Sequence, residues 1–280
     1  GYIGIFEYGE GNLLSALING LQADNHLEQA LEINSGLVDA HFGLGIYRYG
    51  NSRLGGIGNF IMQGGKDLRE EGIGHIERAL LVNAPSTPLA MKTLIWFYIS
   101  EQINKENASL PAENRLSPPA SRARAIELIE EMKKRYFSNP PAPGFKGNKQ
   151  LAMMQALQSI LDSDYQSAKK YFERILTICN DLKDRKNYLI NPQLIQSVEA
   201  GIAFCDLMIN GLSVADQPEE ARTACRKVSE QIDFLNGGGS MVEYDTQKIR
   251  GELHDVFFEK LRGLYQKMNC AAAVGPPDKA

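Results

Sequence analysis

The chain has 280 residues, 43% of them hydrophobic, and a formal charge of −4. That length and apolar content suffice for one large domain or a continuous array with its own core, and the composition argues against disorder. Residues 1–100 hold 6 Lys or Arg against 10 Asp or Glu, and the other 180 hold 24 of each, so the basic footprint of a nucleic-acid binder is missing and no nucleic-acid partner is expected.

The chain opens at Gly1, and its first apolar run, Tyr2–Phe6, is too short for the core of a signal peptide. It reads as the tail of a helix, as though the chain were trimmed at its N-terminus. No apolar stretch approaches the roughly 20 residues that span a bilayer, so no transmembrane segment is expected. The first periodic segment places Ala23, Leu27 and Ala30 on one helix face. A partner helix follows over Asp39–Tyr49, with Leu44, Gly45, Tyr47 and Tyr49. The glycine-rich stretch Gly43–Gly65 contains neither GxxxxGK[ST] nor a GxGxxG between strand and helix, so a phosphate loop is not expected. Gly43 and Gly45 read instead as points of close helix packing. Within the insertion, Leu54–Met62 is apolar although it lies between helices, where connections are normally polar. Either it folds back as a short helix that plugs a gap, or it stays exposed through Phe60 and Ile61 and contacts a partner or a second copy.

Gly72, Ile76 and Ala79 repeat the small–large–small face, and a partner helix follows over Leu89–Glu101. Asn104–Pro119 breaks the pattern, with Pro118 and Pro119 expected to bar helix there. Ala125/Ile129/Met132 is the next such face. Gln150–Leu161 and Ala168/Phe172/Ile175 are joined by a short turn at Asp162–Asp164. After a break near residues 182–192 come Leu194–Ile209 and then, beyond Asn210–Gln217, Ala221/Cys225/Val228 behind Pro218. A last helix, Thr246–Met268, caps the array, and Ala271–Ala280 is a flexible tail. The expectation is therefore all-α, with breaks near 50–66, 103–120 and 182–192.

The five faces start 49, 53, 43 and 53 residues apart, against a tetratricopeptide period of about 34. Each interval is one helix pair plus an insertion. The run from Leu13 to Gly50 and then Gly65–Leu80 resembles a divergent tetratricopeptide family of bacterial cell envelopes, distantly similar to the eukaryotic inclusion-body-clearance proteins. Asn34, Asp39, Ala40, Gly43, Leu44, Gly45, Tyr47, Tyr49, Gly65, Asp67 and Gly72 carry that resemblance, with Lys66 splitting the usual Gly-Asp pair. It implies an α-α superhelix of about five helix pairs with a capping helix, occupying residues 1–270 as one domain. It also implies a scaffold whose concave groove binds a partner peptide or helix, in the periplasm or cell envelope ahead of the cytoplasm. The alternative is an oligomerising, architectural component of a membrane-associated assembly.

Little points to catalysis. His26, His41, His75 and His254 show no i, i+4 zinc spacing, although His41 and His75 lie where a helix pair can bring them together. No Ser or Cys is framed as a nucleophile, and Glu70-Glu71, Glu130-Glu131 and Lys133-Lys134-Arg135 read as solvated or dipole-matched helix faces. Cofactor and metal are expected to be none, and the chain is not expected to be an enzyme. Cys179, Cys205, Cys225 and Cys270 lack CxxC spacing and read as buried free thiols, with a Cys205–Cys225 bridge conceivable in an oxidising compartment. Tyr47, Tyr49, Trp96, Phe97 and Tyr98 sit on two successive first helices and outnumber what one face buries. With Phe60 and Ile61 they are the candidate partner-binding residues, since exposed Tyr and Trp carry much binding energy.

Overall fold

The computed structural model describes residues 13–55, 59–60, 63–137, 147–186, 188–211, 218–242 and 247–271. Those residues are all-α, with ten α-helices and no strand among them. In chain order the helices are α1 Leu13–Ile33, α2 Val38–Leu54, α3 Arg69–Ala79, α4 Thr87–Ile103, α5 Pro118–Tyr136, α6 Lys149–Leu161, α7 Tyr165–Lys186, α8 Pro192–Asn210, α9 Pro218–Asn236 and α10 Gln247–Lys267. A single-turn 3-10 helix, Lys105–Ser109, follows α4. Sequence periodicity placed the interiors of these helices; their ends depend on local capping.

The expectation at the prolines is corrected. Pro118 and Pro119 open α5 instead of excluding it, because a first-turn residue needs no N–H donor and the proline ring already holds a helical φ. Asn191 caps α8 in the same region of its helix: its side chain accepts from the Gln193 N–H at 3.0 Å, and Pro192 follows as the first helical residue. Asn148 caps α6 by accepting from both Gln150 and Leu151 at 3.0 Å. At the α6–α7 turn Ser163 takes the left-handed conformation at φ 60°, and Asp164 caps α7 through the Ser167 N–H at 3.1 Å. A turn this short folds the second helix back beside the first.

The chain divides into two compact units. One holds residues 1–102 and 107–132, the other 103–106 and 133–280. In the first unit, α2 packs against both α1 and α3. The α2–α3 crossing is set by two glycines. A Cβ on Gly45 would lie 2.4 Å from Ile76 Cγ1 and 2.6 Å from the Gly72 carbonyl oxygen, and one on Gly72 would lie 2.8 Å from the Gly45 oxygen. Only backbone without side chains fits there, which is the close packing the sequence suggested. Ile76 and Ala79 complete the face with no exposure.

In the second unit, α7 packs against α6 and α8, and α10 against α8 and α9. Ala168, Phe172 and Ile175 are fully buried on α7, and the Phe172 ring lies against Gly201 of α8, where a Cβ would come within 2.7 Å. Phe257 of α10 meets Phe204 of α8 edge-on, centroids 5.2 Å apart. Ala125 and Ala79, the small members of their faces in the first unit, are likewise buried.

The thiols depart from expectation. Cys225 of α9 and Cys270, just past α10, form a disulfide with Cα atoms 5.4 Å apart, while Cys179 and Cys205 are free and buried. Cys205 belongs to α8, and Cys225 sits on the stripe of α9 with Ala221 and Val228. The last helix brings Cys270 to that stripe from 45 residues away, a pairing that residue spacing alone does not reveal.

Candidate functional site

The aromatic residues singled out by sequence fall into two groups. Tyr49, Phe97 and Tyr98 are buried, at 1%, 9% and 2% exposure, which corrects the expectation that they line an open groove. Tyr49 stacks on Phe97 with ring centroids 3.6 Å apart. Helices α2 and α4 turn these rings toward each other, so one core accommodates more aromatic side chains than a single face does. Tyr47 and Trp96 are half-buried. Phe60 is 68% exposed, so it does not act as an internal plug, and Ile61 lies outside the described residues.

Beneath the stacked rings is a buried ionic cluster that sequence reading missed. Glu101 of α4 has no exposed surface. Its carboxylate accepts from the Tyr49 hydroxyl at 2.7 Å, from Arg69 Nη1 at 2.8 Å and from Asn107 Nδ2 at 2.5 Å. Arg53 lies 3.8 Å away through Nε and donates through Nη2 to Ser100 Oγ at 2.7 Å. Burial foremost, and then the Glu101 charge, push the Tyr49 hydroxyl well above its ordinary value. Asp67 grips Arg69 through Nε and Nη2. Burial pushes the Asp67 carboxyl up, but the bonds from Arg69 outweigh it and its pKa falls. A buried charge met on every side in this way ties α2, α3 and α4 together, and a reactive group would need a free face. The one available signal was Glu101 at the end of the apolar run of α4.

A second polar chain crosses α1, α2 and α3. The Arg48 guanidinium binds Glu28 and Glu71 and lies 3.7 Å from Asp24. Arg48 Nη1 also stands 3.3 Å from His75 Nε2, His75 Nδ1 stands 2.8 Å from His41 Nδ1, and His41 Nε2 stands 2.9 Å from the Ser35 carbonyl oxygen. The ends fix the protons. Arg48 donates only and the carbonyl accepts only, so neutral His75 carries its proton on Nδ1 and neutral His41 on Nε2. Burial first, then Arg48, His41 and Arg78, depress the His75 pKa to about 4. The two imidazoles do meet across the helix pair, but as links in a hydrogen-bonded chain. Among the described residues no group of three or more His, Cys, Asp and Glu is placed to hold a metal ion.

Cavities among the described residues include two that are bordered by charged side chains. One, of about 480 Å³, lies beside α3 and is lined by Asp67, Glu70, Glu71, His75, Arg78 and Arg115, a mixture of both signs. The other, of about 680 Å³, runs between α8 and α9. Its α8 side is Ala203, Asp206, Leu207 and Asn210; its α9 side includes Glu220, Thr223, Ala224, Lys227 and Gln231, with Glu219 and Glu230 beside them. These α9 residues recur every three or four positions, so they form one helical stripe. That stripe is different from the one carrying Ala221, Cys225 and Val228, which is buried. The floor is made of small or short side chains and the rim is charged, which suits the laying-in of an extended segment or a helix more than the enclosure of a small molecule.

No protein-family model matches the chain, and no solved structure matches it. A stretch of 67 residues, 24% of the chain, is 39% identical to peptide chain release factor 3 of Ligilactobacillus salivarius (strain UCC118), and it spans 12% of that protein. Such a span is too small a part of the relative to bring its activity here. No helix among the described residues is long and apolar enough to cross a membrane.

Proposed function

We propose that this chain is a tetratricopeptide-like scaffold, its helix pairs arranged as a superhelix, that binds a peptide or helix of a partner protein. The observation that supports this best is the 680 Å³ groove along α8 and α9. One stripe of α9 is consumed by the core, and a second stripe is left to face a groove with a small-residue floor. The polar clusters of the first unit support the same reading, because their charged groups are tied to one another, including Asp67, Glu71 and His75, which border the 480 Å³ cavity.

The test is site-specific photocrosslinking in cells of the source organism. A photoreactive phenylalanine analogue replaces Ala203 or Thr223 in the groove, or Glu130 on the outer face of α5 as a control. The expected result is one discrete heavier product from both groove positions and none from the control. Equal or absent crosslinking at all three positions overturns the reading.

A further inference from the structure

Among the described residues, large apolar side chains that stay exposed are confined, apart from Phe60, to the connections between helices or the helix turns next to them. In the first unit they gather at one end. Ile33 is 88% exposed where α1 stops, and Leu37 follows at the start of α2. Leu81, 84% exposed, and Val82 lie just past α3, and Leu89 lies in the first turn of α4. Helices α1 and α3 run toward this end, and α2 and α4 start from it. The two connections are joined directly, since the Ser86 hydroxyl donates to Asp39 at 2.5 Å. Five large apolar residues thus occupy one end of one unit. Scattered singly they would be ordinary surface; gathered on adjoining turns they mark a contact.

We infer that this end of the first unit is the surface through which two copies of the chain pair about a two-fold axis. The charges decide for a second copy over other occupants. Glu32 precedes Ile33 and Arg78 closes α3; both are exposed, and neither has an ion-pair partner among the described residues. The end thus carries charges of both signs beside the apolar residues, Arg78 against Glu32 and Asp39. A two-fold axis places the same patch on both partners, so Glu32 of each copy meets Arg78 of the other while apolar side chains meet apolar side chains. An anionic membrane surface calls for a cluster of basic residues, and here Arg78 stands against Glu32 and Asp39. A bound peptide calls for a groove, and none of the five apolar residues lines either cavity described above, although Arg78 borders the one beside α3. The pairing surface differs from the 54–62 segment in which sequence reading placed a contact. It is also independent of partner binding at the α8–α9 groove, so either can fail without the other.

Light scattering coupled to size exclusion, run across the micromolar range, tests the inference. The parent chain is expected at twice its 31.0 kDa mass. The double variant Ile33→Glu/Leu81→Glu alters two almost fully exposed side chains, and is expected to keep its helical circular dichroism while running at the monomer mass. Glu32→Arg alone and Arg78→Glu alone each set like charges against one another and are expected to weaken the dimer about tenfold. The combined exchange Glu32→Arg/Arg78→Glu restores opposite charges and with them the dimer. A parent chain that is monomeric throughout, a dimer indifferent to the Ile33/Leu81 double variant, or an exchange that fails to restore pairing would each overturn the inference.

Discussion

At Gly45 the backbone of α2 meets that of α3 so closely that a methyl group has nowhere to go, with a neighbouring carbonyl oxygen 2.6 Å from where it would sit. Gly45→Ala is expected to cost about 1–3 kcal/mol by forcing the helices apart. Gly50, on the same helix, has nothing within 4 Å of its would-be Cβ. Gly50→Ala is expected to add about 0.5–1 kcal/mol, because alanine restricts the unfolded chain. Urea melts of the two variants against the parent check both signs. The same reasoning applies to charge. Glu101 balances Arg69 and the nearby Arg53 without any exposure, so Glu101→Ala removes the carboxylate these two cations share in the core and should cost about 3–5 kcal/mol. Retention of the parent's urea midpoint would show that the cluster carries no strain of this kind.

His75 brings pH into the same unit. Its folded pKa of about 4 lies below the ordinary 6.5, so the folded chain binds this proton less readily than the unfolded one. The stability that neutral His75 supports is complete above pH 6.5 and is lost as the pH falls toward about 4. In that window the unfolded chain takes up the proton and the folded one resists it, because a proton on His75 would enter a chain whose next members are Arg48 and His41 and whose ordered donors would no longer match. Thermal midpoints measured from neutral pH down to that range should drop for the parent and drop less for His75→Gln. Identical pH profiles would remove His75 from the account.

At the scale of the elements, the helices themselves were legible because apolar side chains recur with helical period wherever a helix buries one face. The small residue on each face carried the most information. Ala125 and Ala168 are fully buried, as the spacing predicted. Ala168→Leu should therefore overpack the second unit and cost about 1–3 kcal/mol, and a melting temperature equal to the parent's would count against the register. Helix ends were less legible. Pro118 and Pro119 looked like a barrier and prove to be a start, because a proline's meaning depends on whether its N–H would have been used. The aromatic residues show the same limit. Nothing local distinguishes Tyr49, whose hydroxyl reaches buried Glu101, from Tyr47, which stays half-buried two residues earlier.

At the scale of the whole chain, the Cys225–Cys270 disulfide closes a span of 45 residues and fastens the end of α10 to α9. Cys179 and Cys205 remain free inside the helices, and burial above all pushes the Cys205 thiol up to about 12, which keeps it protonated and unreactive. Denatured, unreduced protein should show two titratable thiols, and four after reduction. Cys225→Ser should lower stability by about 2–4 kcal/mol through the freedom returned to the unfolded chain. Four thiols before reduction would refute the pairing.

The sequence by itself determined the all-α class, the positions of the helix interiors and the small-residue faces where helices meet, because each depends on side chains within a few turns of one another. It also holds neither a GxxxxGK[ST] run nor a pair of histidines four apart, patterns whose spacings are local. Only the tertiary structure decided which aromatic residues are core, which cysteines pair, how Glu101 gathers Arg69, Tyr49 and Asn107, and that the exposed apolar residues of the first unit share one end. Those outcomes join residues tens of positions apart. Periodicity tells which face of a helix is buried and is silent on which distant helix buries it.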